Sequence, residues 1–165
     1  MDEIIYREMT VPDVEQVYVI ECECFTQPWS MRSLRDEVIK NDVAHYLVAE
    51  CDGKIVGYVG MWTMCGEAHI TNIAVTADYR CRGIATKLIL NLMRLAISLG
   101  AVCMTLEVRE NNLRAQRIYA ALDFKFVGIR KKYYSDTGEN ALILWNESIE
   151  ETLEKNKNKM EDNNQ

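Results

Sequence analysis

The chain has 165 residues, of which 48% are hydrophobic, and a formal net charge of -6. That length suits one compact domain rather than two, and the apolar fraction is that of an ordinary globular core. The acidic balance argues against direct nucleic-acid binding and is compatible with a positively charged partner. Six cysteines lack the C-x-x-C spacing of a zinc site, and only His45 and His69 are available to help them, so no metal is expected. Met1-Asp2-Glu3 does not begin a signal peptide, and no apolar run is long and uncharged enough to span a membrane. The expectation is a cytoplasmic protein with reduced thiols and no membrane contact.

Ile4-Ile5-Tyr6 begins a first strand. Thr10-Val11-Pro12-Asp13 reads as a helix start, with a Thr cap, Pro in the first turn and an acid three residues after the cap. That helix is expected to bury Val14, Val17, Tyr18 and Cys22. Pro28 breaks the chain, and Ser30 caps a second helix with Met31, Leu34, Val38 and Ile39 facing inward. Two apolar runs, Tyr46 to Glu50 and Ile55 to Met61, flank Asp52-Gly53, a hairpin signal. Gly57 and Gly60 inside the second run point to a bend or to close backbone approach. A third strand, Ala68 to Val75, completes an antiparallel meander.

Next comes Arg80-Cys81-Arg82-Gly83-Ile84-Ala85, then a helix with Leu88, Leu92, Leu95, Ala96 and Leu99 on one face, stopped by Gly100. A strand, a basic glycine-containing loop and a helix N-terminus together form an anion site, because free backbone N–H groups and the helix dipole point into the loop. Taken alone, the same loop is equally a solvated turn with two surface arginines. The Walker order of Lys before Ser or Thr is absent, and the dinucleotide fingerprint lacks two of its glycines. Cys81 lies where a basic helix N-terminus favours thiolate, but no histidine is near it in sequence to support catalysis.

Val102 to Val108 is a further strand, joined by the preceding helix in parallel to the third. Asn111 or Asn112 caps a helix running to Leu122, and Phe124 to Gly128 and Ala141 to Trp145 form a closing pair. Residues 1–149 are expected to be one domain, and 150–165, poor in apolar residues, a polar flexible tail.

Four features lie in order: Asn72-Ile73-Ala74-Val75, the Arg80 to Ala85 loop, Leu106-Glu107-Val108-Arg109, and Asn112 with Tyr119. This order resembles the GNAT family of acetyl-CoA-dependent N-acetyltransferases, from the first strand to about Glu147. The loop resembles the family's Q/R-x-x-G-x-G/A pyrophosphate motif, with Ala85 in place of the second glycine. Pro28-Trp29-Ser30 and Lys132-Tyr133-Tyr134 refine the resemblance to the RimI group, which acetylates the N-terminal alanine of small-subunit ribosomal protein eighteen. The resemblance implies an α/β (α+β) fold, a mixed and mostly antiparallel central sheet with helices on both faces. It also implies that the acceptor is a basic ribosomal protein N-terminus.

Site roles follow from the same resemblance. Ile73, Ala74, Val75, Arg80, Cys81, Arg82, Gly83, Ile84, Ala85, Thr86 and Asn112 would hold acetyl-CoA. Glu107 would be the general base, Tyr119 the general acid, and Trp29, Tyr133 and Tyr134 would contact the acceptor. Without the resemblance, Glu107 is a solvated glutamate, Tyr119 a core tyrosine, Asn112 a helix cap, Trp29 a packing anchor, and Tyr133 and Tyr134 hairpin residues. Other activities compatible with the motifs are acetylation of a small-molecule amine or lysine side chain, and non-catalytic acetyl-CoA binding.

Overall fold

A computed structural model describes residues 3–158. Strand β1 (Ile4–Glu8) leads into a 3-10 turn over Val11–Asp13, which passes directly into α1 (Val14–Cys24). The Thr10–Asp13 capping box forms: the Asp13 carboxylate accepts from the Thr10 N–H at 2.7 Å and its hydroxyl at 2.9 Å. Arg7 grips the same carboxylate with both terminal nitrogens, at 2.7 and 2.8 Å. This fork, more than the caps, holds buried Asp13 down to a pKa of about 2.

Helix α1 buries Val14, Val17, Ile20 and Glu21, leaving Tyr18 half-buried and Cys22 exposed. In α2 (Met31–Lys40) the Ser30 cap accepts from Ser33 N at 3.0 Å, but only Leu34 is fully buried. Met31 and Ile39, expected to face inward, are 41% and 52% exposed. The helix packs on β2 (Ala44–Cys51), and a single Leu34–Val38 line covers that contact.

The remaining strands are β3 (Lys54–Met64), β4 (Glu67–Val75), β5 (Cys103–Arg109), β6 (Lys125–Arg130) and β7 (Ala141–Asn146). They form a seven-stranded sheet in the order β1-β2-β3-β4-β5-β7-β6. Every pairing is antiparallel except β4 with β5. Asp52 and Gly53 turn the β2–β3 hairpin with φ of 48° and 78°, as a primed turn requires. Gly60 is there for close approach: a Cβ on it would run into the Tyr46 ring.

One face of the sheet is covered by α1 and α2 through Val17, Ile20, Leu34, Val48 and Tyr58. The other is covered by α3 (Ile84–Ser98), α4 (Leu113–Ala121) and α5 (Ile149–Lys155). Helix α3 buries Ile89, Leu90 and Met93 as well as the expected Leu88, Leu92 and Ala96, while Leu99 stays 46% exposed. The wider stripe arises because α5 packs on α3 from outside.

The flexible tail expected over residues 150–165 is therefore corrected for its first part. Ile149 and Thr152 are fully buried, and Asn156 is nearly so. The Thr152 hydroxyl accepts from Asn146 Nδ2 at 2.8 Å and donates to Asp123 Oδ2 at 3.0 Å. Burial here runs through hydrogen-bonded polar side chains, which a count of apolar residues does not register. Residues 159–165 lie outside the described part.

Candidate active site

The site begins where two strands part. Parallel pairing of β4 with β5 extends only over Glu67–His69 against Cys103–Thr105. Beyond His69, β4 keeps its β3 neighbour and β5 its β7 neighbour, but they no longer pair with each other. The β5-facing N–H and C=O groups of the end of β4 are thus left without a ladder partner. Register makes the parting sharper: Gly60 lies opposite Asn72 and Met61 opposite Ile70, so Thr71 is the extra residue of a bulge.

The opening is a cleft of about 590 Å³. Its walls are Ile73–Val75, the loop before α3, the first turn of α3, and α4 with Asn112 and Tyr119. Gly83 caps α3 at φ +77°, and a Cβ there would meet no protein atom within 4 Å; the left-handed conformation by itself calls for glycine. Cys81 also takes a left-handed φ of 60°. With no side chain on the α3 N-cap, the first-turn N–H groups stay available for an anion.

The two loop arginines differ. Arg80 lines the cleft and fastens the loop, donating from Nε to Val75 O at 2.9 Å and from Nη2 to Cys24 Sγ at 3.3 Å. Arg82 is not among the cleft-lining residues; its guanidinium lies 4.8 Å from the centroid of the Tyr79 ring. Two arginines that the sequence reading missed, Arg114 and Arg117 on α4, do line the cleft. Their i, i+3 spacing just after the Asn112 cap was the available signal. Arg114 Nη2 donates to Cys81 Sγ at 2.8 Å. Asn112 does cap α4, accepting from Ala115 N at 3.1 Å, while also bordering the cleft.

Tyr119 is 6% exposed, stacks edge-on against Phe124 at 5.7 Å, and reaches the cleft wall. Burial pushes its phenol well above the usual range, so it stays protonated. Glu107 projects from β5 on the opposite face from Leu106 and Val108, outside the cleft-lining set. Its Oε2 lies 2.5 Å from His69 Nε2 and its Oε1 accepts from Arg130 Nε at 3.2 Å. The hydrogen bond to His69 is the largest influence holding this carboxyl below its ordinary range, against the opposing effect of burial. Burial pushes the Tyr134 phenol up to about 12.

The three residues expected to contact an acceptor sit on two loops that are clasped together. Thr26 Oγ1 donates to Asp136 Oδ2 at 2.5 Å and Ser135 Oγ to Gln27 Oε1 at 3.2 Å, joining the α1–α2 loop to the β6–β7 loop. Asp136 is also held by Arg109 Nη2 at 2.7 Å, and Arg109 lies 4.0 Å from the Tyr134 ring centroid. Arg109 and then Thr26 hold the Asp136 carboxyl well below the usual range. Tyr133 packs edge-on to Tyr134 at 5.1 Å and is half exposed. The main chain at Trp29 is fixed from behind: its backbone N–H donates at 3.0 Å to Glu21, whose buried carboxyl also accepts from Tyr58. Burial raises the Glu21 carboxyl pKa.

Known proteins resemble this chain in sequence and in fold. The sequence profile of the Acetyltransferase (GNAT) family matches residues 14–124. A Bacillus subtilis (strain 168) protein, provisionally named a ribosomal protein bS18-alanine N-acetyltransferase, is 42% identical over 139 residues, covering 84% of this chain and 92% of its own. The Haemophilus ducreyi protein with that name is 32% identical over 138 residues, covering 80% and 92%. The crystal structure of the Escherichia coli ribosomal-protein-S18-alanine N-acetyltransferase superposes with a TM-score of 0.79 at 26% identity, covering 86% of this chain and 92% of that one. Profile, relatives and shared architecture agree: the chain belongs to the acetyltransferase (GNAT) family.

Proposed function

We propose that this chain transfers the acetyl group of acetyl-CoA to the N-terminal α-amino group of a protein, and that the acceptor is the N-terminal alanine of ribosomal protein bS18. One observation carries the reading. The cleft that suits a pyrophosphate-bearing ligand follows the end of β4, and its far wall carries Tyr119, while Glu107 stands on the neighbouring strand. The names of the Haemophilus and Escherichia coli relatives support the acceptor. The acidic chain complements a basic acceptor terminus, and a ribosomal acceptor places the reaction in the cytoplasm.

Each element then has a task. The first-turn amides of α3 and the guanidinium groups of Arg114 and Arg117 hold phosphate groups. Those amides from Ile73 to Val75 that face away from β3 polarise the thioester carbonyl. Glu107, kept ionised and therefore a weak base, accepts the proton of the acceptor ammonium directly or through a relaying water. A peptide α-amine has a pKa of roughly 7.7–8.0, so a modest base suffices, whereas a lysine at about 10.4 demands more. The protonated Tyr119 hydroxyl donates to the departing thiolate. Trp29, Tyr133 and Tyr134 line the approach of the acceptor chain.

Mass spectrometry after incubation with acetyl-CoA tests this directly. The bS18 N-terminal peptide, the same peptide with its α-amine blocked, and a polyamine are offered as acceptors. Acetylation confined to the free alanine terminus is expected. Modification of the blocked peptide or the polyamine overturns the acceptor, and no product from any of the three overturns the enzyme.

A further inference from the structure

We infer that His69 is a positioning residue for the transfer: its imidazole fixes the Glu107 carboxylate in the orientation that receives the acceptor's proton. The inference rests on the reading of Glu107 as base and adds a residue that no motif marks.

The geometry is specific. His69 stands on the last rung of the β4–β5 pairing, opposite Thr105, and Glu107 lies two residues further along β5 on the same face. The 2.5 Å contact between His69 Nε2 and Glu107 Oε2 therefore closes the crotch from which the cleft opens. An ionised carboxylate only accepts hydrogen bonds, so Nε2 carries the hydrogen of this contact. The groups that contact the Glu107 carboxyl are His69 from β4 and Arg130 from β6. With Oε2 on His69 and Oε1 on Arg130, the carboxylate plane cannot turn freely, and its remaining lone pairs point at fixed directions. The two holders are unequal. Arg130 is 54% exposed at 3.2 Å, so water screens it, whereas His69 is closer and better shielded at 37%. Trp62, the cross-strand neighbour of His69 on β3, is itself anchored through Nε1 to Glu37 at 2.6 Å.

The test is steady-state kinetics on the alanine-starting peptide for His69→Ala, His69→Asn, His69→Gln, Glu107→Gln and the double variant His69→Ala with Glu107→Gln. Losing the holder should lower kcat by roughly 10-fold to 10²-fold, the scale of a small misplacement of a reacting group, with KM for acetyl-CoA unchanged. Gln has the reach to donate to Oε2 and should recover most of the turnover. Asn, one methylene shorter, should behave like Ala, so the comparison survives if the alanine variant folds poorly. The acid limb of the kcat profile should move up in pH in the Ala and Asn variants: the His69 donor lowers the Glu107 carboxyl, its loss raises it, and the carboxylate is then protonated at higher pH. In the Glu107→Gln background, removing His69 should cost nothing further. Parent-level kcat and an unmoved acid limb in His69→Asn, with Glu107→Gln impaired, overturn the role of His69 alone. An additive loss in the double variant does the same. Parent-level turnover in Glu107→Gln overturns the base itself, and this inference with it.

Discussion

The two halves of the site are built by different means. The half proposed for the cofactor is local and largely backbone: the end of β4, the eight-residue connection from Thr76 to Gly83 and the next helix N-terminus, contiguous in sequence from Ile73 to Thr86, closed by α4. The half proposed for the acceptor is assembled from side chains far apart in sequence. Thr26 meets Asp136, Gln27 meets Ser135, Arg109 meets Asp136, and His69 meets Glu107. A ligand shared by a whole family can be held by a short peptide segment. A variable acceptor needs adjustable side chains on separate loops.

Substitutions can break this division. The largest effect should come from Tyr119→Phe, which keeps the ring against Phe124 and deletes only the donor. Turnover should fall by roughly 10²-fold or more with little change in melting temperature. Normal turnover per folded molecule would return Tyr119 to the core and leave water as the acid.

Gly83→Glu should raise KM for acetyl-CoA by roughly 10-fold or more, since a like charge near 4 Å at a protein surface is worth about 4 kcal/mol before salt screens it. Gly83→Ala isolates the strain of the left-handed φ of +77°. In the same titration, Arg114→Ala and Arg117→Ala should weaken binding more than Arg82→Ala, because those two line the cleft while Arg82 lies behind the cleft-lining Tyr79 ring. The reverse ranking would move the phosphates toward Arg82.

Thr152→Val should cost about 1–3 kcal/mol of stability, the range for stranding buried hydrogen-bonding partners. Urea melts would show it, with kinetics at low temperature unchanged. A stability equal to the parent's would mean that α5 can be dispensed with after all.

Arg109→Ala should loosen the clasp between the loops. KM for the peptide should rise on the order of 5-fold, the ceiling for a partly exposed ion pair, with KM for acetyl-CoA unmoved. A change confined to acetyl-CoA would contradict the division itself.

The smallest effect is expected in acid. Asp13 is held down to about 2, so the stability it contributes is complete above its unfolded pKa of roughly 3.9 and drains away as pH falls through the folded value. Because Asp13 precedes α1, hydrogen exchange between pH 4 and pH 2 should quicken in α1 before α3. Simultaneous loosening would indicate one cooperative unit.

Legibility from sequence followed the same line. Asp52-Gly53, the Ser30 and Asn112 caps, and the loop glycine each declare themselves by local chemistry, and each stands where it was expected. The β2–β3–β4 meander and the parallel step across α3 were legible from the Asp52-Gly53 turn and the helical crossover, whereas the placing of β7 between β5 and β6 was not. The His69 contact did not, because it spans 38 positions and pairs two residues on separate strands, each of which reads as a solvated strand residue by itself. Helix α5 stayed hidden because Thr152 and Asn156 are buried through hydrogen bonds, while composition weighs only grease. Glu21 hid for a related reason: a carboxylate in an amphipathic helix reads as solvent-facing until Tyr58 and the Trp29 N–H are seen beside it.

The three-rung joint between β4 and β5 also makes the sheet a mechanical hinge. Four strands lie on one side and three on the other, and beyond His69 nothing in the ladder resists their spreading. A molecule seated in the gap works as a splint, supplying contacts across it that the backbone omits. Occupancy should then register as rigidity and heat resistance, rising as RT ln(1 + [L]/Kd), or about 2.7 kcal/mol when the ligand stands at 100 times its Kd. The empty enzyme is then expected to be the looser object, stiffened by its own co-substrate.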